Sequence, residues 1–352
     1  MKKKVLLFGY SRANLGDDLF IYILAKRYQD IQFYIHIKEE KYKKPLTNIE
    51  NINFIEEDRN VDLVKIEEFD AFIYVGGSIF MESEYARHEA KEFNRFIKKC
   101  NKHKKPFFYM TCNFGPYQTE EYLNMVKENF QLCQGVSFRD KASYKTFKEI
   151  PSVCYAPDMG FTCEFNEIEQ KQDKKRLGIS VIDLSIREKL KDKEEIYNDY
   201  IKRMVIKFAK KNYKVSLISF CKFEEDEKAI SKIKAMIPEP YLENIEELFY
   251  QGNIEEFLKK YSKIKCMVCT RFHSMILSII LKQKIYNLFY SAKTENVIKD
   301  YKIFRRFDNI GDITYDIRLR KYNFKKINNR KLEKIRKEAE NQFTKFEEWL
   351  KN

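Results

Sequence analysis

Strand-like and helix-like segments alternate along almost the whole chain, and this alternation constrains the fold more than any other sequence feature. Short apolar runs such as "KKVLLFGY", "DAFIYVGG" and "KKPFFYMTCNFG" are typical of buried strands, and the stretches between them have apolar residues at helical spacing. Strands that alternate with helices predict a parallel sheet covered by helices on both faces. The chain is therefore predicted to be an α/β protein with doubly wound parallel sheets.

The alternation is interrupted once, by a polar stretch without pattern at residues 164–176, which we interpret as a linker. Two Rossmann-like domains are predicted on either side, at residues 1–165 and 166–327, followed by an amphipathic helix at 328–352. A chain of 352 residues is long enough for two domains that each have a core. Ligands of such sheets bind beyond the carboxyl ends of the strands, so the active site is predicted in a cleft between the domains.

Composition excludes several classes of protein. A hydrophobic content of 44%, with 15% aromatic residues, is typical of a globular protein and excludes a disordered or fibrous chain. The apolar runs are far shorter than the roughly 20 residues needed to span a bilayer, and the start of the chain does not fit a signal peptide. The eight cysteines are scattered without a disulfide pattern, which predicts reduced thiols in a cytoplasmic protein.

The formal net charge of +14 would attract an anionic partner, which can be nucleic acid, anionic lipid or a small anionic substrate. The lysines are spread along the chain among acidic residues, a pattern that also fits an ordinary solvated surface. No nucleic-acid-binding motif stands out, and no nucleic-acid partner is predicted. Association with a membrane surface stays open as an alternative.

The segment "CTRFHS" places Arg271 and His273 two residues apart, after the strand-like run "IKCMV" and before the helix-like run "SMILSIIL". We expect both side chains on one face of an extended segment at the carboxyl end of a strand. A helix N-terminus disfavours an imidazolium, so a histidine there gives up its proton more readily. A histidine with a purely structural role in the core is the alternative.

Further candidates follow other predicted strands. Lys293 comes after the next strand and is aimed at the same edge. Arg139 follows the strand "GVSF", where it can clamp a carboxylate or pair with Asp140 or Asp158. An arginine, a histidine and a lysine on consecutive strand ends suit a small, highly anionic substrate.

Two loops are candidates for binding hydroxyl groups. Asp17 stands at the start of a predicted helix, where it can cap the helix or hold sugar hydroxyls. Gly77 and Ser78 follow the strand "AFIYV", where they form either an ordinary tight turn or a turn that binds anions or hydroxyls.

The order of motifs resembles the polysaccharide pyruvyl transferase family. The motifs are "GYSRANLGDD", "VGGSIF", "CNFGPY", "FRDKASY", "APDMGF", "LGISV" and "TRFHSMILSIILKQKIYNLFYSAK", and they extend over about 300 residues. The resemblance implies two domains of the glycosyltransferase-B type. It also implies transfer of a pyruvyl group from phosphoenolpyruvate to two hydroxyls of a sugar, which forms a cyclic ketal.

In this family pattern the Arg-x-His pair and the later lysine serve the donor and the chemistry, which here are Arg271, His273 and Lys293. His273 is predicted to protonate the donor and Arg271 to act with it. The predicted donor-binding residues are Arg271, Lys293, Ser274 and Arg139. The predicted acceptor-binding residues are Asn14, Asp17, Gly77 and Ser78.

No metal site is predicted, because His36, His88 and His103 lack ligand spacing, and no cofactor is predicted beyond phosphoenolpyruvate as co-substrate. The resemblance implies a saccharide acceptor, which is a cell-surface polysaccharide or its lipid-pyrophosphate-linked precursor. A lipid-linked acceptor would place the protein at the inner face of the cytoplasmic membrane, and a soluble glycan is the alternative. No oligomeric state is predicted. The alternatives are a glycosyltransferase-B-type enzyme with a nucleotide-sugar donor and a non-catalytic glycan-binding homologue.

Overall fold

The computed structural model of the chain describes residues 2–10, 12–165, 171–302, 308–314 and 324–352, without the side chains of residues 292 and 293. Residues 166–170 of the predicted linker are thus outside the described part. The chain divides into two compact units. Unit 1 consists of residues 1–11, 17–163 and 333–352, and unit 2 of residues 12–16 and 164–332.

Unit 1 contains a seven-stranded sheet in which every strand pairs in parallel with its neighbours. In chain order the strands are β1 (Lys3–Phe8), β2 (Ile31–His36), β3 (Ile52–Ile55), β4 (Ala71–Val75), β5 (Phe107–Cys112), β6 (Gly135–Phe138) and β7 (Val153–Tyr155). The order of strands across the sheet is β3-β2-β1-β4-β5-β6-β7. The central strands β4 and β5 are buried along their whole length, because helices cover both faces of the sheet.

Five helices alternate with these strands along the chain: α1 (Leu15–Arg27), α2 (Glu40–Lys43), α3 (Glu84–Lys102), α4 (Glu120–Leu132) and α5 (Lys141–Phe147). Side chains with a hydroxyl cap two of them: Ser83 Oγ accepts from the amide of Ala86, and Thr119 Oγ1 from that of Tyr122. Aromatic rings from both layers fill the space between α3 and the sheet. Phe8 of β1, for example, meets Phe93 of α3 edge to face at 5.2 Å.

Unit 2 contains a six-stranded sheet that is also parallel at every pairing. Its strands are β8 (Arg176–Ser180), β9 (Lys214–Ser219), β10 (Ile245–Phe249), β11 (Cys266–Cys269), β12 (Lys284–Phe289) and β13 (Asp308–Asn309). Their order across the sheet is β10-β9-β8-β11-β12-β13. The helices between them are α6 (Glu194–Ala209), α7 (Asp226–Ala235), α8 (Ile254–Ser262), α9 (Phe272–Ile280) and α10 (Ala292–Tyr301). The predicted fold class, two doubly wound parallel-sheet domains, is confirmed.

The short loop at residues 12–16 belongs to unit 2, although the sequence places it within the N-terminal domain. Asn14 forms an antiparallel bridge with Cys221, and the amide of Leu15 donates to the carbonyl of Phe220 at 3.1 Å. This backbone pairing joins the loop to the segment that follows β9. Such a pairing between distant parts of the chain has no local sequence signal.

The C-terminal segment is two helices where the sequence predicts one. Helix α11 (Asn329–Ala339) ends in a 3-10 turn at Glu340–Gln342, and α12 (Thr344–Lys351) follows. The helix is interrupted at this turn because the side-chain amide of Gln342 is buried there and hydrogen-bonds within unit 1. Its oxygen accepts from the backbone amide of Thr111, and its nitrogen donates to the carbonyls of Ala156 and Pro157.

Candidate functional site

Arg271 and His273 lie at the carboxyl end of β11, where the strand turns into α9. Arg271 is the last extended residue, with φ −76° and ψ 140°, and His273 is the second residue of α9. The expectation that both residues lie on one extended segment is therefore wrong for His273, because the helix begins at Phe272. The predicted buried helix after them is confirmed, since residues 274–280 of α9 are all buried.

A hydroxyl group of the neighbouring strand holds this turn in place. Ser180, the last residue of β8, accepts from the backbone amides of Thr270 at 2.8 Å and of Arg271 at 3.2 Å through its Oγ. Thr270 Oγ1 in turn donates to the carbonyl of Ser180. The backbone of Arg271 is thus fixed to the end of an adjacent strand in the same sheet.

The guanidinium of Arg271 is buried in an ion pair with Asp226, the first residue of α7. Nε lies 3.2 Å from Asp226 Oδ2, and Nη2 donates to Asp226 Oδ1, so that the pair is bidentate. Asp226 Oδ2 also accepts from the backbone amides of Phe220 and Cys221, each at 3.0 Å. Burial opposes the charge of Arg271, yet the carboxylates of Asp226 and Glu224 raise its pKa well above the ordinary value.

Glu224 joins Arg271 to a second arginine. Its Oε2 accepts from Arg271 Nη1 at 2.6 Å and from Arg187 Nη2 at 2.7 Å. The guanidinium of Arg187 also lies over the ring of Tyr290, 4.6 Å from its centroid. Burial alone would raise the pKa of Glu224, but the charges of the two arginines lower it to about 2. The four ionised groups alternate in sign as Arg187, Glu224, Arg271 and Asp226.

The imidazole of His273 lies against Gly16, which belongs to the same unit. A Cβ atom at Gly16 would stand 2.6 Å from Cγ of His273 and closer still to Nδ1 and Cε1. Asn14 lies beside this contact, since its Oδ1 accepts from the amide of Gly16 at 3.0 Å and its Nδ2 lies 3.5 Å from Glu224 Oε1. The structure thus brings Asn14, predicted to bind the acceptor, together with the Arg271 and His273 group.

Lys293 and Ser274, the other two residues of unit 2 predicted to bind the donor, both lie in helices. Lys293 is the second residue of α10, and its side chain is outside the described part, so its role stays a prediction. Ser274 is fully buried in α9, where Tyr261 donates to its carbonyl at 2.9 Å. The hydroxyl oxygen of Ser274 also lies 3.2 Å from that of Tyr261, and the role of Ser274 in donor binding stays a prediction.

In unit 1, Arg139 is buried directly after β6. Nη1 forms an ion pair with Asp158 at 2.8 Å, and Nη2 donates to Asn113 Oδ1 at 3.2 Å. Of the two aspartates named as possible partners, Asp158 forms the ion pair, and donor binding by Arg139 stays a prediction. Asp140 instead caps α5, where its side chain accepts from the amide of Ser143 at 2.8 Å.

Gly77 lies against the guanidinium of Arg139. A Cβ atom there would stand 2.7 Å from Nη1 and closer to Cζ and Nη2. Ser78 follows it as a partly exposed residue of the loop after β4. Asp17 lies in the first turn of α1, with its side chain partly exposed. The structure thus brings Gly77, predicted to bind the acceptor, together with Arg139, predicted to bind the donor.

Sequence reasoning missed Glu224, Asp226 and Arg187. A signal was present, because Glu224 and Asp226 follow the carboxyl end of β9, the position where functional residues of parallel sheets are found. The stretch "CKFEEDEK" resembles a solvated charge run, however, and nothing local shows that two of its carboxylates turn inward.

Three further observations concern metal sites, pockets and membrane spans. Within residues 2–10, 12–165, 171–302, 308–314 and 324–352, no group of three or more His, Cys, Asp or Glu side chains is arranged to hold a metal ion. A pocket of about 330 Å³ lies in unit 1, and its lining contains none of the predicted site residues. No helix in the described part of the chain combines the length and apolar character that a membrane span needs.

Known structures show the same fold at low sequence identity. A protein described as a UDP-N-acetylglucosamine 2-epimerase from Listeria monocytogenes is 9% identical, with a TM-score of 0.54 over 88% of this chain and 85% of that one. Alr3699/HepE from Anabaena is 10% identical, with a TM-score of 0.53 over 81% and 80%. UDP-GlcNAc 2-epimerase from Methanocaldococcus jannaschii is 12% identical, with a TM-score of 0.51 over 95% and 98%. These similarities define the class: two Rossmann-like domains of the glycosyltransferase-B type.

The sequence itself identifies the family within that class. The model of the polysaccharide pyruvyl transferase family matches residues 14–284, which include Asn14, Arg139, Arg271 and His273. The chain belongs to the polysaccharide pyruvyl transferase family. No match among curated protein sequences reaches significance.

Proposed function

We propose that this protein transfers a pyruvyl group from phosphoenolpyruvate to a sugar of a cell-surface polysaccharide or of its lipid-linked precursor. The product would be a cyclic pyruvate ketal, and inorganic phosphate would be released. The observation that carries the proposal is the position of Arg271 and His273 at the carboxyl end of β11 in a chain of this family. A cytoplasmic location, at the inner face of the membrane, is part of the proposal.

His273 is the proposed proton donor. It delivers a proton to the methylene carbon of phosphoenolpyruvate, which becomes a methyl group, and the adjacent carbon becomes cationic. A sugar hydroxyl attacks this carbon and loses its proton. A second hydroxyl of the same sugar then displaces the phosphate and closes the ring. The two sugar hydroxyls lose two protons in all. One of these protons restores the proton that His273 gave to the methyl group, and the other leaves with the released phosphate.

Arg271 is proposed to hold the donor beside His273. Its bidentate bond to buried Asp226 fixes the orientation of the guanidinium, as a preorganised site requires. Nη1 donates to Glu224, whose side chain is 27% exposed, so a donor anion that binds Arg271 is proposed to replace Glu224 at this edge. Lys293, Ser274 and Arg139 remain proposed donor-binding residues. Asn14, Asp17, Gly77 and Ser78 remain proposed acceptor-binding residues.

The leaving group distinguishes pyruvyl transfer, which releases phosphate, from transfer of a sugar, which releases a nucleotide. Alr3699/HepE has been determined in complex with UDP-glucose, so a nucleotide-sugar donor is the alternative that shares this fold. The protein is incubated with candidate lipid-linked saccharides and either phosphoenolpyruvate or nucleotide sugars. Pyruvyl transfer predicts phosphate release and a product heavier by one pyruvate less one water. Release of a nucleotide instead would assign the chain to sugar transfer.

A further inference from the structure

We infer that Gly16 is a positioning residue for His273, the proton donor of the proposed function on which this inference rests. The Cα of Gly16 forms the surface against which the imidazole packs, and the loop at residues 12–16 therefore sets the place of the ring. Gly16 does not touch the substrate in this account. It acts only by leaving room for the histidine.

The backbone gives no other reason for a glycine at this position. Gly16 lies in the first turn of α1, and its φ is outside the left-handed region that favours glycine. Alanine is preferred over glycine inside helices, because glycine has more conformational entropy to lose. The side chain that alanine would add is excluded by a neighbour, and that neighbour is the ring of His273.

The loop that carries Gly16 is tied to the segment after β9 by hydrogen bonds within unit 2. Leu15 donates its amide to the carbonyl of Phe220, and Asn14 bridges Cys221. The side chain of Asn14 also accepts from the amide of Gly16 at 3.0 Å. The Cα of Gly16 is therefore held by several polar contacts of its own unit.

The same segment holds Arg271. The amides of Phe220 and Cys221 donate to Asp226, and Asp226 forms the bidentate pair with the guanidinium. The surface against which His273 packs and the ion pair of Arg271 thus share one support, the turn after β9. A change in this turn would move both groups of the proposed site together.

A proton donor has to lie within hydrogen-bond reach of the atom that it protonates. Displacement of a reacting group by about 1 Å can reduce the rate by about 10²-fold. A methyl group at residue 16 overlaps the imidazole, so the ring has to leave its position or the loop has to shift. Gly16→Ala is therefore expected to lower kcat by about 10²-fold while the KM for phosphoenolpyruvate changes little.

The test is a cycle of four proteins: wild type, Gly16→Ala, His273→Ala and the double variant, compared by thermal unfolding. In the wild-type background Gly16→Ala should lower Tm by about 3 °C or more, because the added methyl group overlaps the ring. In the His273→Ala background the ring is absent, and the same substitution should leave Tm unchanged or raise it through helix propensity. Gly311→Ala is the control for the loss of a glycine that does not contact His273. A Cβ there would make a tight contact of 3.3 Å with Asn309 Oδ1, so its effect on Tm should be the same in both backgrounds.

Each outcome decides the inference. Opposite effects of Gly16→Ala in the two backgrounds, together with the loss of kcat, support it. Equal effects on Tm in both backgrounds overturn it, and so does an unchanged kcat of Gly16→Ala when the Tm cycle shows coupling. If the wild type does not consume phosphoenolpyruvate, the proposed function fails. The Tm cycle alone then tests whether Gly16 packs against His273.

Discussion

Asp226 binds Nε and Nη2 of Arg271 with one carboxylate, and Oδ2 of this carboxylate also accepts two backbone amides. The side chain of Asp226 is fully buried and that of Arg271 is 8% exposed. Removal of Asp226 would leave Arg271 with Glu224 as its remaining carboxylate and would leave two buried backbone amides without their acceptor. Breaking a buried ion pair in this way typically costs about 3–5 kcal/mol. This pair is therefore central to the stability of unit 2 as well as to the orientation of Arg271.

Asp226→Ala is expected to lower the free energy of unfolding by about 3–5 kcal/mol, measured by urea denaturation. The control is Glu256→Ala, which removes an exposed ion pair with Lys260 in α8 and should cost about 0.3–0.5 kcal/mol. If the two variants lost similar amounts of unfolding free energy, the buried pair of Asp226 and Arg271 would not be central to the stability of unit 2.

Glu224→Gln should reveal the low pKa of Glu224 through the pH dependence of stability. The two arginines, against the effect of burial, lower this pKa from 4.5 to about 2. A carboxylate with a lowered pKa contributes stability above its unfolded pKa, and that contribution is lost as the pH falls toward the folded pKa. The difference in urea midpoint between wild type and variant should stay constant from about pH 8 to 5.5 and shrink below about pH 4.5. A difference that shrinks between pH 7 and 5.5 would assign the pKa shift to another group.

Gly77→Ala should act through Arg139. A methyl group at residue 77 overlaps the guanidinium and would displace it from Asp158 and Asn113. Loss of a charged hydrogen bond is worth about 1.5–3 kcal/mol, so the KM for phosphoenolpyruvate should rise about tenfold or more if Arg139 binds the donor. If the KM for the saccharide rises instead, Gly77 serves the acceptor as the sequence analysis predicts.

Gln342→Ala should weaken the attachment of the C-terminal segment to the sheet of unit 1. The variant leaves the buried amide of Thr111 and two carbonyls with fewer partners, which costs about 1–3 kcal/mol. Urea denaturation measures the loss, and Glu338→Ala, at an exposed pair with Lys334, is the control. No loss of stability in Gln342→Ala would mean that apolar packing alone holds the segment.

The fold could be predicted because parallel strands that are buried on both faces leave short, nearly continuous apolar runs in the sequence. The runs "AFIYV" and "CMVC" are examples, and both are strands of the structure. The interruption of the C-terminal helix could not be predicted in this way. Gln342 continues a helical pattern in the sequence, and only its buried partners in β5 and after β7 explain the turn.

The candidate site could be predicted only in part, for a similar reason. Arg271 and His273 stand out because polar residues between two apolar runs are unusual. The carboxylates that bind Arg271 come from a charged stretch nearly fifty residues earlier, and the glycine beneath His273 comes from the first loop of the chain. These contacts depend on tertiary structure, and the sequence contains no periodicity that encodes them.

The proposed function depends on one step, in which His273 protonates the methylene carbon of phosphoenolpyruvate during pyruvyl transfer. The most direct measurement is mass spectrometry of the saccharide product formed in D₂O by wild type and by His273→Ala, with Tm confirming that the variant is folded. We expect one deuterium in the methyl group of the ketal made by wild type, and a rate about 10²- to 10⁴-fold lower for the variant. A ketal methyl group without deuterium, or a folded His273→Ala protein with nearly wild-type turnover, would contradict it.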